Sequence, residues 1–288
     1  MGHIQWKKGE TGAWVSIITY LILATTKLIV SEIGDSDALR ADGFNNTTDI
    51  IASLAVLIGL RISKKPPDSD HHYGHSKAET ISSLIAAFIM TTIGIEVLLE
   101  AGETLIYQEF GTPSPLTGWT AVLSAIIMYG VYRFNLNLSR HVESRALYAA
   151  AQDNRSDALV SVGAAVGIFG AMAGILWLDP AAATIVGVLI LKTAWEIFTD
   201  ATHLLTDGFD EDELEDIRAT IDTHPDVQKV KDIKARFQGN ETLVDVIILV
   251  SPDITVQQAH DITDEIEVLL KEKHKIHYVH IHTEPYHD

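Results

Sequence analysis

Two groups of oxygen-bearing side chains recur at helical spacing inside apolar stretches of this sequence. One lies in Ala41-Asp42-Gly43-Phe44-Asn45-Asn46-Thr47-Thr48-Asp49, where Asn45 and Asp49 stand four residues apart. The other is Asp153-Asn154-Arg155-Ser156-Asp157, where Asp153 and Asp157 share that spacing. Side chains at i and i+4 lie on one helix face. Two such faces turned together supply three carboxylates and one amide carbonyl around a single point. Ionisable groups inside a bilayer are expensive and mark ion or proton pathways. The competing explanation is a structural network in which Arg40 or Arg155 neutralises a buried aspartate. Arg155 lies about 200° around the helix from Asp153, so it does not share that face. We therefore expect a transported-cation site built from Asn45, Asp49, Asp153 and Asp157.

The donor set bears on the ion. The quartet holds no His and no Cys, only hard oxygen donors. Zinc prefers tetrahedral nitrogen and sulfur sites, whereas carboxylate and carbonyl oxygens suit manganese, magnesium and calcium. Manganese binds weakly in the Irving–Williams order, so rejecting zinc requires withholding imidazole. Iron(II) is compatible with the same ligands. Three carboxylates crowded in a low-dielectric cleft also hold a proton that a divalent cation can displace, so metal and proton compete for one site.

Further candidates lie in polar sequence. Strand alternation places His280 and His282 on one face, with Glu284 following if the strand persists. The plain alternative is a surface strand rich in histidine. His274, His277 and His287 read as ordinary surface residues. Lys77 and Asp207 fall at the ends of apolar segments and are expected to pair, although two unrelated surface charges fit the sequence nearly as well. No Ser-His or zincin motif and no nucleophile stands near the quartet, so no enzymatic activity is expected.

These residues need elements to hold them. The chain of 288 residues is 47% hydrophobic, with mean hydropathy +0.16, yet its formal net charge is -18. From Asp207 to the end, 20 acidic residues stand against 8 Lys or Arg. An apolar part, 1–206, followed by an acidic domain, 207–288, is the simplest partition. The acidic surplus argues against nucleic acid, which needs clustered Lys and Arg. Cysteine is absent, which excludes disulfides and thiolate metal sites. No small-residue cleavage pattern follows the first apolar run, so that run is expected to be retained.

Six stretches are long and apolar enough to span a bilayer, approximately Ala13–Val30, Ala38–Ile62, Ile81–Ile106, Leu116–Phe134, Ala146–Leu178 and Ala181–Phe198. The fifth runs about 50 Å as a helix, longer than a bilayer requires, and its polar start is expected to extend into the cytoplasm. Connections on one side carry Lys7, Lys8, Arg61, Lys64, Lys65, Lys77, Arg133, Arg140 and Arg145. Those on the other, around Ser31–Asp37, Tyr107–Pro115 and Asp179–Pro180, carry none. That bias places both termini in the cytoplasm of a multi-pass protein of the cell membrane.

After Asp207 the pattern is that of a small soluble domain. Asp210–Thr223 is a charged amphipathic helix ended by His224-Pro225. Val227–Phe237 and Thr242–Val250 read as strands joined at Gln238-Gly239-Asn240. Thr255–Lys273 is a second helix, with Ala259, Ile262, Ile266 and Leu269/Leu270 on its apolar face. Ile276–Ile281 is a third strand. The order α-β-β-α-β suggests an open sheet with two helices on one face.

With these motifs assembled, the chain resembles the cation diffusion facilitator family over nearly its whole length. The likeness rests on the six spans with paired ligands on the second and fifth, on Ala41-Asp42-Gly43, and on His71-His72-Tyr73-Gly74-His75-Ser76-Lys77-Ala78-Glu79. Gln258-Ala259-His260 and the closing Val279-His280-Ile281-His282-Thr283-Glu284-Pro285 complete it. The resemblance implies a six-helix membrane transporter domain, all α, with a cytoplasmic α+β ferredoxin-like domain. It also implies metal export by proton counter-transport in a homodimer that alternates between inward- and outward-facing states. Zinc members of the family carry a histidine in the quartet where this chain has Asn45 and Asp153, a combination that resembles the manganese branch, so Mn2+ is the expected substrate. Iron, zinc, cobalt and cadmium remain alternatives.

The resemblance further assigns Asp68, His71 and His75 to a metal site in the cytoplasmic loop, against which stands a merely solvated polar loop. It matches His260, His282 and Glu284 to metal-binding positions in the paired domains of relatives. There, two further expected histidines appear as Lys231 and Ile247, and Asp245 is a substitute oxygen donor. Two other classes compete: a membrane-bound metal hydrolase, and a membrane-anchored metal sensor signalling through its soluble domain. Neither explains buried aspartates as well as transport does.

Overall fold

The computed structural model describes residues 2–108, 110–142, 145–239 and 241–287. The side chains of Lys7, Lys8 and Arg145, and the turn residue Asn240, lie outside the described residues. Six long helices come first: α1 (Gly2–Gly34), α2 (Asp37–Ser63), α3 (Ala78–Tyr107), α4 (Pro115–Val142), α5 (Arg145–Met172) and α6 (Leu178–Leu205). All six are long and apolar enough to cross a membrane. They are followed by α7 (Glu211–Asp222), β1 (Lys229–Gln238), β2 (Glu241–Val250), α8 (Val256–His274) and β3 (Tyr278–Pro285).

By packing, the chain forms two compact units. One comprises residues Met1–Ala55 and Ile85–Ile197, the other Val56–Leu84 and Phe198–Asp288. The second unit therefore takes in the last turns of α2, the α2–α3 loop, the start of α3 and the end of α6, together with the α+β domain.

The membrane unit packs through small side chains. Ala38, Ala121, Ala164 and Ala165 surround Leu39 and Ile168, while Ala41, Ala101 and Ala183 meet Val97, Val186 and Ile190. Lipid supplies no hydrophobic drive between helices, so close backbone approach through small residues takes its place. Gly167 shows the tolerance: a Cβ there would come within 2.5 Å of the Ala182 Cβ. Large apolar side chains such as Trp14, Leu21, Ile85, Trp119 and Trp195 point outward, as a lipid-facing surface requires.

One boundary departs from expectation. The fifth span was drawn to Leu178, whereas α5 ends at Met172. Gly174 adopts φ +100°, which reverses the chain, and Ile175–Trp177 forms an apolar turn rather than helix. Pro180 then sits in the first turn of α6, where its missing N–H costs nothing. The start of α2 is fixed from afar: Asp179 accepts from Ser36 Oγ at 2.7 Å and from the backbone N–H groups of Asp37 and Ala38 at 2.6 and 3.3 Å. A carboxylate at a helix N-terminus satisfies orphan donors and suits the dipole.

In the second unit, β1 pairs antiparallel with β2, and β2 pairs parallel with β3, in the order β1-β2-β3. The parallel step requires a crossover, which α8 supplies. Asp210 caps α7, and Thr255 with Gln258 forms a capping box on α8. Ile217 and Ile221 of α7 and Ile262, Ile266 and Leu270 of α8 cover Val230, Ile233, Val244, Val246 and Ile248. Both helices thus lie on one face, and the other face of the sheet carries the exposed His280 and His282.

Candidate metal centre

The polar faces of α1, α2, α4 and α5 meet inside the membrane unit. Asn45 and Asp157 are buried, and Asn45 Nδ2 donates to Asp157 Oδ1 at 3.1 Å. The other oxygen of Asp157 accepts from the Tyr20 hydroxyl at 2.7 Å. Asn154 Nδ2 donates to the Tyr20 oxygen at 2.8 Å, and Asn154 Oδ1 accepts from Ser16 Oγ at 3.1 Å and Asn135 Nδ2 at 2.9 Å. One carboxylate is thereby held directly from α1 and α2, within a network that also reaches Asn154 of α5 and Asn135 of α4. Asp49, one turn below Asn45, keeps its buried Oδ2 without a hydrogen-bond partner, within the fields of Asp157 and Asp153. Asp153 is exposed. A buried carboxylate oxygen lacking a donor, set among further carboxylates, is a place for a cation.

A second polar cluster lies one helical turn further along. Lys27 of α1 is wholly buried, with its Nζ 2.8 Å from Asp42 Oδ2, 2.7 Å from Asn46 Oδ1 and 3.0 Å from Ser161 Oγ. Ser161 Oγ in turn donates to Asp42 Oδ1 at 3.2 Å. Gly43 permits this contact, since a Cβ there would stand 3.0 Å from Leu28 Cγ and 3.2 Å from Lys27 Cβ. Asp42 is therefore neutralised by Lys27, not by the arginines weighed from sequence. Arg40 bridges Asp37 and Glu100, and Arg155 is exposed. Sequence reading passed over Lys27 and Tyr20. The signal for Lys27 was present as a single ammonium in the run Ala13–Val30, in reach of Asp42 only once α1 and α2 pack.

In the second unit Asp68 is drawn into a tight loop. Its Oδ1 accepts from the backbone N–H groups of Asp70 and His71 at 3.0 and 2.8 Å, and these bonds hold its carboxyl below the ordinary range. His71 Nδ1 lies 3.1 Å from Oδ1, and His75 Nε2 lies 3.6 Å from Oδ2. Gly74, at φ +76°, turns the chain so that the two imidazoles come to 4.2 Å between centroids. Among the described residues, this is the one group of three or more whose carboxylate and imidazole ligand atoms all lie within 4.8 Å of one another. A two-nitrogen, one-oxygen set with open positions fits a transition metal better than a purely oxygen-seeking ion.

The proposed ligands of the α+β domain are brought together only in part. His282 Nε2 lies 3.7 Å from Glu284 Oε1, but Glu284 Oε2 accepts from Lys231 Nζ at 2.6 Å. Asp245 is paired in register with His280, at 3.7 Å, rather than with His282. His260 stands beside Asp264 at 3.8 Å. Lys77 Nζ donates to Asp207 Oδ1 at 3.0 Å, and Arg236 approaches the other oxygen at 3.7 Å. The left-handed backbone of Asp207, φ 59°, turns its side chain out of the end of α6.

Comparison with known proteins bears on both units. The model of the cation efflux transmembrane domain matches residues 13–206, and that of the dimerising cytoplasmic domain of cation efflux proteins matches 209–286. The manganese efflux system protein MneS of Bacillus subtilis is 52% identical over 97% of this chain and 96% of that one. MneP of the same organism, also named a manganese efflux system protein, is 33% identical over 95% of each chain. The magnetosome protein MamM of Paramagnetospirillum magneticum is 30% identical over 94% of this chain and 86% of its own. Among solved structures, a variant of the MamM C-terminal domain aligns with TM-score 0.26 and 26% identity, over 27% of this chain and 100% of that one.

Proposed function

This chain belongs to the cation efflux (cation diffusion facilitator) family and is a divalent cation efflux transporter with a cytoplasmic dimerisation domain, and from that premise we propose that it exports Mn2+ in exchange for protons. The observation that carries the proposal is the unpartnered, buried Oδ2 of Asp49 beside an Asp157 carboxylate held by Asn45 and Tyr20. Asn45, Asp49, Asp153 and Asp157 offer oxygen alone, which suits manganese and withholds the imidazole that would favour zinc. Two relatives named as manganese efflux proteins support the same substrate. When the metal leaves, a proton takes its place on the vacated carboxylates, so ion and proton exchange at one site. The chemistry is ligand exchange, and no bond of an organic substrate is broken.

The working assembly in this reading is a homodimer in the cell membrane, with both termini and the α+β domain in the cytoplasm. The Lys and Arg bias between the two sets of connections supports that orientation. Asp68, His71 and His75 form an accessory metal site on the cytoplasmic loop.

Uptake of manganese and zinc into proteoliposomes tests the proposal, comparing wild type with Asp49→Ala and Asn45→His. Manganese flux should vanish in Asp49→Ala, and zinc flux should appear in Asn45→His. Flux undiminished in Asp49→Ala would make the quartet structural. Transport indifferent to an imposed proton gradient, at clamped membrane potential, would remove the antiport.

A further inference from the structure

Lys27 is the one cation fully buried among the described residues of the membrane unit. An ammonium has three N–H donors and no acceptor. Here three acceptors meet it, one each from the Asp42 carboxylate, the Asn46 amide and the Ser161 hydroxyl. Two of these, Asn46 and Ser161, accept hydrogen bonds from it and the third, Asp42, pairs with it by charge, so its polar neighbours come from α2 and α5 alike. Such a cluster is not the cheapest way to fill a helix interface, because apolar side chains of similar size pack there without desolvating two charges.

Its position gives it a use. Asp42 and Asn45 are three residues apart, as are Asn46 and Asp49, and Ser161 follows Asp157 by one turn. The cluster therefore stacks directly on the transport quartet along both helices, about 5 Å further along the axis. It lies on the side of Ser36 and Asp179, away from the Lys- and Arg-rich connections. Asp49 and Asp157 both lie within the field of Lys27, and Asp157 also within that of Asp42. Without the ammonium, Asp42 would be one more carboxylate on the same cleft.

We propose that Lys27 is a tethered counter-cation of the transport cleft, whose charge, balanced against Asp42, sets how strongly the quartet holds its divalent ion and so how readily it lets go. Lys27 touches none of the four ligands, so it acts on the metal through charge rather than by coordination. A doubly charged ion one turn away feels the loss or gain of a unit charge strongly in a membrane interior. The inference rests on the quartet being the transport site.

The experiment compares Lys27→Met, Asp42→Asn and the double variant in proteoliposomes, reading KM and maximal rate for Mn2+, with Asp49→Ala alongside. Mn2+ affinity of the detergent-purified proteins is measured in parallel. Removing the ammonium should tighten Mn2+, lowering KM about tenfold and slowing the maximal rate as release becomes harder. Removing the carboxylate should loosen it, raising KM by a similar factor. The double variant should bring KM back towards the wild-type value. A purely structural pair predicts otherwise: both single variants would lose affinity and stability together. Shifts of the same sign, or no shift in either, overturn the proposal. If Lys27→Met does not fold, the comparison of Asp42→Asn with the double variant decides, since adding Lys27→Met should reverse the raised KM. Loss of flux in Asp49→Ala confirms the site itself; its persistence would overturn that reading separately, whatever Lys27 does.

Discussion

Tyr20 on α1 donates its hydroxyl to Asp157 on α5 over 2.7 Å, across 137 residues of chain. The tyrosine is 5% exposed and receives a bond of its own from Asn154, so the phenol is fixed in direction. If Asp157 is a ligand as proposed, a group that orients it tunes affinity without being a ligand itself. Tyr20→Phe keeps the ring and deletes only that bond. Mn2+ affinity should fall roughly tenfold while transport persists. A loss as complete as that of Asp49→Ala would place Tyr20 among the ligands instead; titration of Mn2+ by flux and by direct binding distinguishes the two.

Asp207 is shared between two cations, and this complicates the obvious charge exchange. The Lys77 bond, then the Arg236 charge, hold its carboxyl below the ordinary range. Each exposed pair contributes at most about 1 kcal/mol. Reversing Lys77 and Asp207 would set a new lysine beside Arg236. The exchange should therefore recover little of the activity lost in either single variant until Arg236→Gln is added. Full recovery without the third change would show that Arg236 does not engage residue 207.

The same shift carries a pH sign. A carboxyl whose folded-state pKa is depressed contributes stability above its unfolded value, near 3.9, and loses it as pH falls through the folded value. Hydrogen exchange at the start of α3 and the end of α6 should therefore accelerate only below about pH 4 on this account. Asp207→Asn should abolish that acid step. An unchanged step in the variant would assign it to other carboxylates.

Much of this was legible in the residues. Six apolar runs need only local periodicity and reappear as α1–α6; of the two oxygen pairs, Asn45 meets Asp157 while Asp153 is exposed. What was not legible depends on register and packing. Asp245 reads as a substitute oxygen donor beside Ile247, yet which histidine it meets depends on the parallel ladder, which sets it opposite His280, and nothing local fixes a parallel register. The end of α5 was missed because Ile175-Leu176-Trp177-Leu178 continues the apolar run, and only Gly174 marks the turn. Lys27 and Asp42 are separated by 15 positions, and their contact exists only where Gly43 lets α1 and α2 close.

In the loop, Asp68, His71 and His75 stand close enough together to share the metal ion proposed for them. Asp68 is ionised and fixed by two backbone N–H groups, and the imidazoles already converge. Metal affinity at the loop should fall with acidity, because imidazole coordinates only in its neutral form. With its two nitrogens, the site should prefer zinc to manganese, the reverse of the membrane quartet. His71→Ala should remove one zinc per protomer in equilibrium dialysis, while Mn2+ flux keeps its selectivity. If manganese occupancy falls as much as zinc, the nitrogen ligands do not set the preference of this site.

Lys231 stands in the α+β domain where the resemblance to the family implies a histidine, and its Nζ lies 2.6 Å from Glu284 Oε2. That bond holds the Glu284 carboxyl below its ordinary range and occupies an oxygen that His282 Nε2, 3.7 Å from the other, would need for a shared metal. An ammonium thus sits where a cation would. Lys231→Ala should free the carboxylate but offer only two ligands, so metal affinity should rise little. Lys231→His frees the same oxygen and adds a nitrogen on the strand face, completing a three-ligand set with His282 and Glu284. Zinc-induced thermal stabilisation of the full chain should therefore appear in Lys231→His, vanish again in Lys231→His/Glu284→Gln, and stay near wild type in Lys231→Ala. Equal stabilisation in wild type and Lys231→His would mean that the lysine yields to metal readily and that the domain is metal-responsive as it stands.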